Sequence, residues 1–347
     1  MALLKNVVNA GGVWKKIGRL MYTIKKVHLE PTELCQAMCP MCDRVTLDGE
    51  VNPQIINASL SLKDIKKIFS KKFIRQLDEM YMCGNLGDPM MAPDCLEIFE
   101  YFREVNPNIY LSMNTNGGAR KPEFWRNLAN LTNHVTFSID GLEDTNGVYR
   151  KGVVWYNVIR NVKEFIDAGG RAKWDYLVFE HNEHQIELAE ATSKRLGFIE
   201  FRVKTTNRYE KSDPKWQSYW RGKEAEVISP PKEKKYQSEV VNNPVEKKDA
   251  TISPKCVKNR EIYVSARGHV FPCCWAHTSS VSSQNISMEE RLDIRSLVAN
   301  NNAKEVGINR SIEWFESMFE RWNTDDQPFI CSAKCNSKQD TVKLQYV

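Results

Sequence analysis

Residues 35–42 read CQAMCPMC, which places three thiols, Cys35, Cys39 and Cys42, within eight positions. The chain has ten cysteines in 347 residues, and Lys5 interrupts its only early apolar run, so no secretory segment is expected. The expected compartment is therefore the cytoplasm, where thiols stay reduced and clustered cysteines read as metal or redox sites. A disulfide cannot use three thiols, and a closed zinc site asks for a fourth ligand. A [4Fe–4S] cube held by three cysteines leaves one iron open, and an open iron can take a substrate or cofactor as its fourth ligand.

The stretches around the cysteines place them in a fold. KKVHLEP, just before them, reads as a strand over 26–30. SLKDIKKIFSKKF (61–73) reads as one helix, with Ser61 as N-cap, Asp64 closing a capping box, and Leu62, Ile65, Ile68 and Phe69 on one face. DEMYMCG, IYLSMN, HVTFSID, WDYLVFE and IEFRVK read as five further strands. Between them lie DCLEIFEYF, capped by Asp94, PEFWRNLANL with Pro at its start, VVWYNVIRNVKEFIDAGG stopped by Gly169 and Gly170, and HQIELAEATSKRLG. Strands alternating with helices imply a parallel sheet wound in one sense. Six such units predict an α/β fold, either an open doubly wound sheet or an incomplete (β/α)6 TIM-type barrel over residues 24–205. In a barrel, the loops after the strands build the site.

Residues 206–250, charged and rich in Pro, Ser and Asn, read as a partly structured linker. Beyond it, residues 251–347 form a small α+β unit. CVKNREIYVSARGHVFPCCW reads as a hairpin turning at Arg267-Gly268, SIEWFESMFERW as a helix, and CSAKC as a closing loop. Residues 1–23 carry Lys5, Lys15, Lys16 and Arg19 with no acid, and read as a basic amphipathic lead-in helix. A net charge of +5 is too mild to indicate nucleic acid. No uncharged stretch approaches the roughly 20 residues that span a bilayer, so no membrane is expected. Cys83 and Cys95 read as inert core thiols, and His181 and His184 as surface or cap residues. No metal-spaced histidine pair emerges.

EPTELCQAMCPMC resembles the signature of radical S-adenosylmethionine (SAM) enzymes, a C-x3-C-x2-C loop after the first strand of a partial TIM barrel. The resemblance implies a [4Fe–4S] cluster on Cys35, Cys39 and Cys42 whose open iron is chelated by SAM. Met41, where the family more often has an aromatic, would rest against adenine. GNLGDPMM looks like the family's GGE-type segment, so Leu86, Gly87 and Asp88 would present carbonyls and a carboxylate to the SAM ammonium. In MNTNGG, Asn116 would reach the ribose or methionine moiety. FSIDGLEDTNGVYR is similar to the family's fourth-strand loop, with Ser138 and Asp140 contacting SAM and Arg150 pairing with its carboxylate, which suits a guanidinium fork.

A second resemblance covers about 250–340. Cys256-x11-Gly268-x4-Cys273 is similar to the opening of a SPASM/Twitch auxiliary-cluster domain, and Cys331-x3-Cys335 to its closing ligands. These four would hold an auxiliary [4Fe–4S] cluster of the single-cluster Twitch kind, with Cys274 as the alternative to Cys273. The implied activity is reductive cleavage of SAM to a 5′-deoxyadenosyl radical. That radical takes a hydrogen atom from a small molecule or short peptide, for a two-electron oxidation such as dehydrogenation or cross-linking. The partner implied is a reductant such as flavodoxin or ferredoxin. Two alternatives remain: a radical SAM epimerase or peptide/protein maturase, with Cys83, Cys95 or Cys274 as hydrogen donor, and a non-catalytic zinc or iron–sulfur scaffold.

Overall fold

A computed structural model of the chain describes residues 24–206, 208–209, 215–237, 251–281, 302–325 and 327–335. The basic lead-in and residues 238–250 of the linker lie outside these. Strands β1 (Lys26–Leu29), β2 (Glu79–Met82), β3 (Tyr110–Thr115), β4 (His134–Ser138), β5 (Ala172–Leu177) and β6 (Glu200–Lys204) run parallel in chain order. Helices α1 (Leu62–Ile68), α2 (Lys71–Gln76), α3 (Cys95–Val105), α4 (Pro122–Leu131), α5 (Asn146–Tyr149), α6 (Trp155–Asp167) and α7 (Ile186–Leu196) fill the crossovers.

Ser61 caps α1 as the sequence predicts. Its hydroxyl accepts from Asp64 N at 3.1 Å, and Asp64 Oδ2 accepts from Ser61 N at 3.1 Å. The helix expected over 61–73 is instead two. Ser70 leaves the helical path and its hydroxyl accepts from Phe73 N at 3.2 Å, which starts α2. Asp94 precedes α3 but does not cap it; its carboxylate accepts from Leu62 N at 2.8 Å and ties α3 to α1.

The two faces of the parallel sheet differ in kind. Met80, Met82, Leu111, Met113, Val135, Phe137 and Trp174 are fully buried beneath the helices, with Phe137 meeting Trp125 of α4 and Phe165 of α6. The alternate positions are polar. Tyr81 pairs with Ser112, Asn114 with Thr136, Thr136 with Lys173, Ser138 with Asp175, and Asp175 with Arg202. Side chains alternate with period two, so these polar residues share the face away from the helices. In a partial barrel that is the concave face. The interior of a closed barrel is filled by branched apolar residues; this one is lined with hydrogen-bonding groups.

Two elements depart from expectation. The stretch read as a linker contains an antiparallel hairpin, β7 (Trp216–Trp220) and β8 (Lys223–Ile228), turned by Arg221 and Gly222, both at positive φ. The C-terminal hairpin, β9 (Glu261–Val264) and β10 (Val270–Phe271), does turn at Gly268 (φ 87). It joins the main sheet, however, with β9 parallel to β1, so the sheet has eight strands in the order β10-β9-β1-β2-β3-β4-β5-β6. Around it lie α8 (Lys255–Asn259), α9 (Cys274–Val281), α10 (Ala303–Ser311), α11 (Phe315–Glu320) and α12 (Phe329–Cys335). SIEWFESMFERW is thus split between the end of α10 at Ser311 and α11, and CSAKC belongs to a helix.

Candidate active site

The cysteine loop leaves β1 at Glu30 and crosses the C-terminal ends of the strands. Ala37 N and the Asn116 amide donate toward Cys35 Sγ at 3.4 and 3.8 Å. Arg150 Nη1 donates toward Cys39 Sγ at 3.9 Å, and Cys42 Sγ lies 3.9 Å from the Asn85 carbonyl. Burial raises all three thiols: Cys35 well above the ordinary range, Cys39 to about 11, and Cys42 upward as well. A bare thiolate is therefore costly here and needs a cation. The donor set fits an iron–sulfur cluster, which supplies that positive charge, and the Asn116 and Arg150 donors are aimed at the sulfurs.

Asp88 is the hinge of the neighbouring loops. Its Oδ1 accepts from Thr115 Oγ1 at 2.7 Å and from Met90 N at 3.2 Å. Its Oδ2 accepts from Asn116 N at 2.8 Å and from Asn116 Nδ2 at 2.7 Å. A carboxylate offers about four lone-pair sites, and all are taken. Asp88 thereby positions Asn116. Asn116 Oδ1 in turn accepts from Gln36 Nε2 at 2.5 Å. The Leu86 main chain also turns inward. Its N–H donates to Glu30 at 2.7 Å and its carbonyl accepts from Arg44 at 3.2 Å. At Gly87, a Cβ would come within 2.0 Å of the Thr32 carbonyl. Only glycine lets this loop lie against the cysteine loop.

Asp140, 1% exposed, and Arg150, 12% exposed by side chain, form a buried ion pair at 2.5 Å. Asp140 Oδ1 accepts from Leu177 N at 2.8 Å, which anchors the pair to the end of β5. Burial raises the Asp140 carboxyl, and Arg150 opposes the rise. Arg150 Nη2 is buried with no partner among the described residues. Such a donor calls for an acceptor. Ser138 ends β4 beside Asp175 on the concave face. Met41 is buried at 2% exposure, and its carbonyl accepts from Arg208.

The sequence did not single out Glu30, Tyr263, Asn85, His277 or Arg208, though all support the site. Glu30 follows β1 directly, which was its only sequence signal; its partners come from distant segments. Glu30 Oε1 accepts from Leu86 N and Gly87 N, and Oε2 accepts from Tyr263 Oη. Tyr263 Oη lies 3.1 Å from His277 Nδ1, and Asn85 Nδ2 donates to the Cys274 carbonyl at 3.0 Å. The first cysteine loop is thereby hydrogen-bonded to the C-terminal hairpin. Burial raises the Glu30 carboxyl from 4.5 to about 7. A raised carboxyl stabilises the fold fully below its unfolded pKa, and that contribution is lost as pH rises through the folded value. The wild type should therefore lose thermal stability as pH rises from 4.5 to about 7, and Glu30→Gln should flatten that decline. An unchanged slope in melting curves would assign that decline to other groups.

The second cysteine set also converges. Cys256 on α8, Cys273 after β10, and Cys331 and Cys335 one turn apart on α12 line a single cavity with Trp275 and Trp322. Cys256 is raised well above the usual thiol range, first by burial and then by the charges of Cys273, Cys331 and Cys335. Cys274 has Cys83 and Glu261 among its charged neighbours. Among the described residues, no three His, Cys, Asp or Glu side chains meet at a single-ion site. One zinc needs all its ligands about 2.0–2.3 Å from a point, whereas a four-iron cube holds each thiolate on a different iron. Cys95 is fully buried as expected, while Cys83 follows β2 on the concave side and its thiol meets Asn114. His184 is exposed, but His181 stacks on Phe179 at 5.3 Å. No helix among the described residues is long and apolar enough to cross a membrane.

Among solved structures, the chain is similar to three structures of SuiB of Streptococcus suis. The SAM-bound form aligns with TM-score 0.50 and 13% identity over 76% of this chain and 64% of that one. A second SuiB structure aligns with TM-score 0.53 and 13% identity over 90% and 70%. The form bound to precursor peptide SuiA aligns with TM-score 0.53 and 14% identity over 92% and 71%. At this identity the likeness speaks for the fold. This chain thus spans under two thirds of the SAM-bound SuiB chain. No curated protein matches the sequence. Residues 29–192 match the family model of the Radical SAM superfamily, a span that runs from the end of β1 into α7. Over these residues the sequence is similar to the radical SAM superfamily.

Proposed function

We propose that the chain holds a [4Fe–4S] cluster on Cys35, Cys39 and Cys42, cleaves SAM reductively and removes a hydrogen atom from a carbon of its substrate. One observation carries this reading: Arg150 reaches toward a cysteine thiol with one nitrogen and leaves another buried without an acceptor. A guanidinium so placed suits a carboxylate bound beside the cysteine set, as in SAM. When bound, the cluster supplies the electron that breaks the sulfonium carbon–sulfur bond and yields the 5′-deoxyadenosyl radical. The protein's part is placement. Asp140 pins Arg150, Asp88 pins Asn116, Gly87 lets the loops close, and the buried loop excludes water.

Cys256, Cys273, Cys331 and Cys335 are the ligands of an auxiliary [4Fe–4S] cluster in this reading, with no vacant iron. Cys273 is preferred over Cys274 because it lines the same cavity as the other three. Held by these four thiolates, such a cluster would supply an acceptor for the electron left on the substrate after hydrogen abstraction, so that the net change would be a two-electron oxidation. The substrate is a small molecule or a short peptide; SuiB has been crystallised with a precursor peptide. Cys83 on the concave side favours epimerisation as the second reading, since a thiol there could return a hydrogen atom. The electron donor is a flavodoxin or ferredoxin. Anaerobically reconstituted, reduced protein should release 5′-deoxyadenosine and methionine from SAM. Colourless protein that carries zinc and leaves SAM intact would overturn the reading.

A further inference from the structure

The concave face has more cation than it needs. Along β5 and β6, Lys173, Arg202 and Lys204 face the carboxylates of Asp175 and Glu200, three positive groups against two negative. Lys173 is held by Glu200 at 2.9 Å, and Arg202 Nε by Asp175 Oδ1 at 2.6 Å. Lys204 is the surplus. Its only ion pair among the described residues is a long one, 3.9 Å to the Asp175 already engaged by Arg202. Its side chain is nevertheless 10% exposed, and burial lowers its pKa. Burying an under-paired ammonium costs free energy unless an anion joins it.

Position makes that surplus informative. Lys204 is the register partner of Leu177, whose N–H donates to Asp140, the residue that holds Arg150. One strand spacing, about 4.8 Å, thus separates Lys204 from the strand end that anchors the proposed SAM pair. Elsewhere on the same face, Thr136 Oγ1 is buried without a partner among the described residues. Cys83, just after β2, has Asp175 of β5 among its charged neighbours, so the two sides of the curled sheet are within electrostatic reach.

We infer that this face is the substrate seat and that Lys204, flanked by Arg202 and Asp175, anchors a carboxylate of the substrate. One unmatched positive charge suits a monoanion such as a peptide carboxylate better than a phosphate dianion. The inference rests on the radical SAM reading of the neighbouring site and names the substrate class for it: a carboxylate-bearing small molecule or peptide.

The test uses cluster-reconstituted, SAM-loaded full-length protein, so that Arg150 is already occupied. Glutarate is the probe, glutaramide the neutral control and inorganic phosphate the competing anion. Glutarate should slow acetylation of Lys204 by an amine-selective reagent, read by peptide mass spectrometry, at least fivefold more than the other two. It should also raise the melting temperature of the wild type and of Lys204→Arg, but not of Lys204→Met. Equal protection by glutarate and glutaramide, stronger protection by phosphate, or a thermal shift that survives in Lys204→Met would each overturn the inference. Protein that cleaves SAM but shows no carboxylate dependence sinks the anchor alone and leaves the activity standing.

Discussion

Replacing Cys35, Cys39 and Cys42 together with alanine abolishes release of 5′-deoxyadenosine from SAM and lowers iron from about eight to about four atoms per chain. Both expectations follow from the geometry. The three thiols lie on one loop over the strand ends, with Asn116 and Arg150 donors aimed at two of them. Cys256, Cys273, Cys331 and Cys335 line a separate cavity in the C-terminal segment. The two sets share no ligand, so one can be emptied while the other stays filled. The paired variant, Cys256, Cys331 and Cys335 to alanine, should lose the complementary iron while reduced protein still cleaves SAM. Iron and zinc analysis with a SAM-cleavage assay reads both. Loss of all iron in the first variant would mean that the two sites assemble as one unit. Retained cleavage would remove Cys35, Cys39 and Cys42 from the chemistry.

Arg150→Met has the second largest expected effect, and its origin is electrostatic. Asp140 is 1% exposed and Arg150 is its ion-pair partner. Removing one partner of a buried pair leaves an uncompensated charge and costs about 3–5 kcal/mol. Burial already raises the Asp140 carboxyl; without the guanidinium it rises further. Asp140 then resists ionisation in the folded state, so the deficit is greatest at neutral pH and shrinks on acidification, where a neutral carboxyl needs no counter-ion. A double variant, Asp140→Asn with Arg150→Met, removes both charges. It should recover most of the stability while SAM binding stays lost, because the unpartnered Nη2 is gone. Chemical denaturation at two pH values and SAM titration separate the two roles. If SAM still binds the double variant with wild-type affinity, Arg150 is only a structural partner of Asp140.

The alternation of strands and helices was legible because the period of apolar residues is a local property. Ser61 with Asp64, Pro122 at a helix start and Gly268 at a turn are signals that short-range geometry enforces. The break between α1 and α2 was missed because Ser70 is an acceptable helix residue that happens to cap Phe73. The β7–β8 hairpin was hidden by a charged sequence whose turn, Arg221-Gly222, is a weaker signal than Asn-Gly. Asp88 was legible as a site residue, but its protein partners were not. Sequence places a carboxylate on a loop without saying which hydrogen-bond donors reach it first, and here Thr115, Asn116 and Met90 do.

The sequence by itself determined the order of the six parallel strands, the helical character of the segments between them, the three-cysteine loop after β1 and the spacing of the later cysteines. These depend on residue type and separation along the chain. Tertiary structure alone decided that the C-terminal hairpin joins the same sheet beside β1 and that Glu30 meets Tyr263 across more than two hundred residues. It also decided that Lys204 is left with more charge than its neighbours cancel. The reason is physical: burial and charge balance are set by which distant groups share a dry space, and no local window of sequence contains that information.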